Sequence, residues 1–90
     1  MVRVEFYGIP RQRAQTAATT VEVSPEGTRL QHVLNVLARQ FPPLADEVIQ
    51  GGTLRKGYVA NIGGARFVTD PNTPLSDGEC VLIMSVDAGG

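Results

Sequence analysis

The feature that most constrains the fold is a single apolar stripe on one predicted helix, set between segments that alternate in polarity. The stripe consists of Leu30, Val33, Leu34, Leu37 and Phe41, a spacing that gives a helix one apolar face. Pro42-Pro43 ends the helix. Such a helix must bury its stripe against another layer, and the alternation on either side of it indicates that this layer is a β-sheet.

Alternation with a period of two predicts the strands. Five segments show it: residues 2–7, 19–23, 58–62, 65–68 and 80–86. The first two are expected to form a hairpin across the polar break at residues 8–13, and a tight turn at Gly63-Gly64 joins the third to the fourth. The order is therefore β-β-α-β-β-β. We predict an α+β domain with a mixed sheet and one main helix packed across it.

The sequence also carries signals for helix ends and turns. Thr28 stands three residues before Gln31, which predicts a capping box at the start of the main helix. Residues 44–49 are expected to form a short helical turn that ends at Gly51-Gly52. Residues 76–79 read as a turn before the last strand, which Asp77 is expected to cap with its carboxylate.

Composition limits the functional classes. Ninety residues fit one domain, and a net charge of −1 argues against a polyanion-binding surface. Cys80 is the one cysteine in the sequence, so it cannot form a disulfide within the chain. Sequences without disulfides are typical of proteins from a reducing compartment. No apolar run approaches membrane-spanning length, and the first five residues are charged where a signal peptide is apolar. We expect a soluble, cytoplasmic protein.

The chain lacks the groups of an independent active site. His32 lies off the apolar stripe, and Cys80 has no predicted histidine partner. One histidine and one cysteine do not supply an ordinary four-ligand zinc site. We therefore expect no metal, no bound cofactor and no enzymatic activity of its own.

The last strand offers a docking surface instead. Alternation turns Val81 and Ile83 toward the helix and leaves Cys80, Leu82 and Met84 on the opposite face. Leu75 is expected to plug the core beneath the preceding turn. Exposed apolar side chains beside a terminal tail suggest a partner-binding patch. We assign to this patch the residues Tyr7, Leu82, Met84 and Val86.

The sequence ends in Asp87-Ala88-Gly89-Gly90. Two glycines make a thin, pliable tip that can enter a narrow cleft, and a terminal glycine carboxylate is the least hindered acyl group that a protein can present. The alternative is an ordinary frayed terminus. We expect one domain at residues 1–86 and a flexible tail at residues 87–90.

The order of elements, the diglycine and a local motif together resemble the ThiS/MoaD family of ubiquitin-like sulfur carriers. The matching motif residues are Asn61, Pro74, Leu75, Asp77, Gly78, Glu79 and Val81. The resemblance implies a ubiquitin-like β-grasp fold. It also implies that Gly90, preceded by Gly89, is adenylated by an ATP-dependent ubiquitin-activating-type enzyme and converted to a thiocarboxylate.

In such a cycle the sulfur comes from a sulfurtransferase or cysteine desulfurase, and a downstream synthase subunit passes it to molybdopterin, the thiamine thiazole, cysteine or tRNA. Two alternatives remain open at this point. The protein could be a ubiquitin-like modifier that is joined to lysines through Gly90, or a β-grasp interaction domain without acyl chemistry.

Overall fold

The computed structural model describes residues 1–86, which form three helices and nine strands. In chain order these are β1 (Val2–Phe6), α1 (Ile9–Ala14), β2 (Ala18–Val21), β3 (Thr28–Arg29), α2 (Leu30–Gln40), α3 (Pro42–Glu47), β4 (Ile49–Gln50), β5 (Thr53–Leu54), β6 (Tyr58–Ile62), β7 (Arg66–Val68), β8 (Pro74–Leu75) and β9 (Cys80–Ser85). No helix among the described residues has the length and apolar character needed to cross a membrane.

Five strands form the main sheet, in the order β2-β1-β9-β6-β7. The central strand β9 runs parallel to β1 and antiparallel to β6, whereas β1–β2 and β6–β7 are antiparallel pairs. Two short pairs, β3–β8 and β4–β5, lie outside this sheet. The predicted mixed sheet and the order of its elements around the main helix are confirmed.

The core lies between α2 and one face of the main sheet. The four stripe residues within α2, Leu30, Val33, Leu34 and Leu37, are fully buried. They join the inward side chains of β1 and β9 in one apolar cluster. The ring of Phe41 packs edge-on against that of Phe6, with centroids 5.7 Å apart. Leu75 is 2% exposed, so its predicted place in the core is confirmed.

The predicted capping box at Thr28 is wrong. Thr28 belongs to β3, and among residues 1–86 no side chain caps the start of α2. Two carbonyl groups from a distant loop take that role: Leu30 N donates to Thr73 O at 2.9 Å, and Gln31 N donates to Pro71 O at 2.8 Å. The first amides of a helix have no partner within it, and here the loop before β8 satisfies two of them.

One short helix, α1, was not predicted, and another, α3, begins earlier than predicted. The polar break after β1 contains α1, whose Pro10 and Ala14 are buried. Proline suits the first turn of a helix because its φ is already helical and its missing N–H would have no partner there. The same preference lets Pro42 end α2 and begin α3 at once.

Some predicted boundaries also differ by a few residues. The helical turn expected at residues 44–49 ends at Glu47, because Ile49 already pairs with Leu54 in the β4–β5 hairpin. β2 ends at Val21 and β9 at Ser85, which is earlier than alternation alone suggests. In both cases alternation continues past the last residue that has a strand partner.

Candidate functional site

The central strand β9 divides its side chains between the two faces of the sheet. Val81 and Ile83 are fully buried against the α2 side. Cys80, Leu82 and Met84 are half-buried on the other side. The predicted orientation of the last strand is therefore confirmed.

The neighbouring strands complete the side of the sheet that faces away from α2. Leu82 lies between Glu5 of β1 and Asn61 of β6, and Met84 lies beside Val59 of β6. Because opposite residues in paired strands point to the same face, these side chains share one surface. We call the surface formed by Tyr7, Val59, Phe67, Leu82 and Met84 the outer face.

Phe67 is a member of the outer face that sequence reasoning missed. It pairs with Asn61, and its side chain is 66% exposed. The predicted fourth strand began at residue 65, which would place Phe67 opposite Ala60 and on the inner side. Ala65 instead closes the turn by donating to Ile62 O at 3.0 Å, and pairing starts with Ile62 opposite Arg66. A shift of one residue exchanges the faces of a strand.

Within the outer face, Tyr7 lies at the edge on the β1 side, where it is 41% exposed. Its hydroxyl donates to Glu5 Oε1 at 2.6 Å, and Arg3 Nε donates to Glu5 Oε2 at 3.0 Å. The hydrogen bond from Tyr7, with that from Arg3, holds the pKa of Glu5 below its usual value. The same bond raises the pKa of Tyr7. A charged network therefore flanks the apolar surface.

Cys80 has an environment that disfavours its nucleophilic form. Burial, and after it the nearby Glu5 carboxylate, raises the pKa of the thiol. The sulfur lies 3.8 Å from Glu5 Oε2, so it is placed to donate a weak hydrogen bond. Since the thiolate is the reactive species, this geometry supports the interpretation of Cys80 as a small packing side chain. Within residues 1–86, no cluster of three or more His, Cys, Asp or Glu side chains could hold a metal ion.

The turn before β9 has the predicted position but a different cap. Glu79 N donates to Ser76 O at 3.1 Å, and Gly78 has a φ of 92°, a conformation that suits glycine. The Asp77 carboxylate forms an ion pair with the Met1 ammonium group. The Glu79 carboxylate instead accepts a hydrogen bond from Ser76 N at 2.6 Å, so the expected capping by Asp77 is wrong.

Asn61, one of the motif residues, is enclosed within the sheet. It is 6% exposed, and its Oδ1 atom has no hydrogen-bond partner among residues 1–86. Its neighbours on the outer face are the large apolar side chains of Leu82 and Phe67. Asn61 is therefore a buried residue beneath the large apolar side chains of the outer face.

Val86, the last described residue, lies beside the start of β6. Val86 N donates to Gly57 O at 2.8 Å, and the Val86 side chain is 55% exposed. Of the predicted site residues, Tyr7, Leu82, Met84 and Val86 thus lie toward the outer face or at the tail root. Gly89 and Gly90, like the whole predicted tail at residues 87–90, lie outside the described residues, and their roles stay predictions.

By sequence, the chain matches no family model and no curated protein. Solved structures resemble it across nearly its whole length. The small archaeal modifier protein SAMP1 from Haloferax volcanii superposes with a TM-score of 0.79 at 13% identity, covering 99% of this chain and 98% of that one.

Two further structures have a similar extent. A Pyrococcus furiosus protein provisionally named molybdopterin converting factor subunit 1 gives a TM-score of 0.71 at 24% identity, covering 93% of this chain and 94% of that one. A chain of the BexX/CysO complex from Amycolatopsis orientalis gives 0.74 at 15% identity, with all of both chains covered. The protein therefore has the ubiquitin-like β-grasp fold that its sequence predicted.

Proposed function

We propose that this protein is a sulfur carrier whose Gly90 carboxylate is adenylated and then converted to a thiocarboxylate. One observation carries the proposal: β9 presents Leu82 and Met84 on the outer face and leads directly into the segment that ends in Gly89-Gly90. The fold shared with molybdopterin converting factor subunit 1 and the CysO complex supports it.

Activation is needed because a carboxylate is ionised at neutral pH and is a poor acyl donor. In the proposed cycle, a Gly90 oxygen attacks the α-phosphorus of ATP and pyrophosphate leaves. The terminal sulfur of a persulfide on the sulfur donor then displaces AMP from the acyl-adenylate and leaves an acyl disulfide. A second thiol attacks the inner sulfur of that disulfide, forms a new disulfide with it and releases the Gly90 thiocarboxylate. ATP is bound by the activating enzyme, and the carrier is proposed to hold no cofactor and no metal and to act as a substrate.

The proposed role of the fold is to present the outer face and the C-terminal glycine to partner proteins. The outer face is proposed to dock onto the activating enzyme, and later onto a synthase subunit, while the tail reaches the remote reaction centre. A sulfurtransferase or cysteine desulfurase supplies the sulfur. We place the protein in the cytoplasm, and the acceptor is one of molybdopterin, the thiamine thiazole, cysteine or tRNA.

Deleting Gly90, or adding one residue after it, tests the proposal. We expect ATP–pyrophosphate exchange by the host's activating enzyme to be lost, because the reacting carboxylate has moved. Urea unfolding should stay unchanged, since the altered residue follows the last strand, β9, in the sequence. Undiminished exchange by the deletion variant would refute the proposal.

A second candidate function is protein modification through the same glycine, which the similarity to small archaeal modifier protein 1 favours. Mass spectrometry of the protein from its native host separates the possibilities. Replacement of one oxygen by sulfur at Gly90 supports the carrier, and lysine conjugates support the modifier. A terminus that is unmodified under all growth conditions supports an interaction domain without acyl chemistry.

A further inference from the structure

The sequence uses lysine once. Of the eight Lys and Arg residues, Lys56 alone is a lysine. A guanidinium group remains protonated in proteins, whereas a lysine amine can lose its proton and act as a nucleophile. An activated acyl group at Gly90 could therefore react with one side-chain amine of the same chain. Whether it does so depends on where that amine lies.

Lys56 is exposed in the turn between β5 and β6. Tyr58 N donates to Arg55 O at 3.1 Å and closes this turn around it. The next residue, Gly57, accepts the hydrogen bond from Val86 N at 2.8 Å that anchors the root of the tail. Lys56 is therefore adjacent in sequence to Gly57, the residue whose carbonyl group binds the backbone of Val86.

The chain that follows Val86 in the sequence is long enough to span the distance to this amine. Tyr58 pairs with Ser85 in antiparallel strands, so Lys56 lies at the end of the sheet from which the tail departs. Four residues follow Val86 in the sequence. An extended chain spans at most about 3.5 Å per residue, or about 14 Å over four residues. Two of these four residues are glycines, a residue type that tolerates the backbone angles of a chain reversal.

We propose that Lys56 is a self-acylation site, at which an activated Gly90 is captured within the same chain. This inference rests on the proposed function for its acyl-adenylate. The unprotonated Nζ of Lys56 attacks the Gly90 carbonyl carbon and a C–N bond forms. The C–O bond to AMP breaks, AMP leaves with the electron pair, and the amine proton passes to water. The product is an isopeptide ring that blocks Gly90 against sulfur transfer.

The test supplies the activated acyl group without the activating enzyme. The full chain is prepared as a Gly90 thioester by intein thiolysis with mercaptoethanesulfonate and is followed by intact mass at several dilutions. The mercaptoethanesulfonate thiolate is the leaving group here in place of AMP. Excess free cysteine, added to a separate sample, shows that the acyl group is reactive.

Two variants isolate the position of the amine. Lys56→Arg removes it and keeps the charge. Lys56→Arg combined with Arg66→Lys restores one exposed lysine at the other end of the sheet, because Arg66 pairs with Ile62, which pairs with Val81 near the start of β9.

We expect the unsubstituted protein to lose the mass of one water relative to its hydrolysed form, with a Lys56–Gly90 link in tandem mass spectra. The rate should be independent of concentration and at least about tenfold above that of either variant, since effective concentration depends on the span to be closed. Hydrolysis alone, equal rates in the relocated-lysine variant, or linked pairs that form in proportion to concentration would overturn the inference. Failure of adenylation appears only in the exchange assay, so the two proposals are separable.

Discussion

Adjacent aspartate substitutions on β9 give the sharpest test of the outer face. Ile83 is fully buried, so Ile83→Asp loses about 2–5 kcal/mol of core packing, and burying an unpaired carboxylate costs several kcal/mol more. A domain of this size has a total stability of about 5–13 kcal/mol. We therefore expect Ile83→Asp to be unfolded or close to it at 25 °C.

Met84→Asp places the same charge one residue further on, in contact with solvent. Its half-buried side chain contributes only part of the burial energy, and we expect a loss of about 1 kcal/mol of stability. Binding to the activating enzyme should weaken by at least about tenfold, because a central apolar contact is lost and a charge must be desolvated.

Circular dichroism with urea unfolding, and fluorescence anisotropy of the labelled protein titrated with the proposed activating enzyme, measure both effects. If Met84→Asp unfolds while Ile83→Asp stays folded, the register of β9 is off by one residue. If Met84→Asp folds and binds as the unsubstituted protein does, the outer face is not the docking surface.

Three further predictions concern the scaffold. Leu34→Ala should lower the free energy of unfolding by about 2–5 kcal/mol, and His32→Ala, on the exposed side of the same helix, by no more than about 0.5 kcal/mol; similar urea midpoints for the two would contradict the placement of the core. Gly27→Ala should cost about 2–4 kcal/mol in the same assay, because its φ is +97° and a Cβ would lie 2.7 Å from a carbonyl oxygen; a stable variant would show that this backbone is free to move. Tyr7→Phe should raise the pKa of Glu5 in an NMR carboxyl titration, since the hydroxyl hydrogen bond is the main cause of its depression. An unchanged titration would show that another group lowers this pKa. Because the pKa of Glu5 is lowered in the folded state, ionised Glu5 stabilises the fold at pH values above its ordinary pKa. This stabilisation is lost as the pH falls through the folded-state pKa.

The parts of the fold that depend on local periodicity could be predicted from sequence. The spacing of Leu30 to Leu37 determines which side of α2 is apolar, and alternation in β9 determines which side chains face it. Both follow from the geometry of one element. The buried Leu75 also follows, because it is the apolar residue in a polar segment between two turns.

The parts that depend on distant residues could not be predicted in this way. The cap of α2 comes from carbonyl groups at least forty positions along the chain, and no local pattern indicates it. The face of the sheet on which Phe67 lies depends on the length of the hairpin loop between β6 and β7, which is one residue longer than predicted. For α1 a signal existed: Pro10 and Ala14, four residues apart, share the buried side of a helix, but the charged residues between them conceal it.

The position of β9 has a consequence for synthesis of the protein. This central strand is the last one in the described chain, and until it is made neither β1 nor β6 has its partner in the middle of the sheet. The core cluster needs Val81 and Ile83 from the same strand. A nascent or truncated chain that stops before β9 therefore exposes two unpaired strand edges, which invite aggregation or proteolysis. Folding is thus completed only by chains that already carry β9, the strand that precedes residues 87–90 in the sequence.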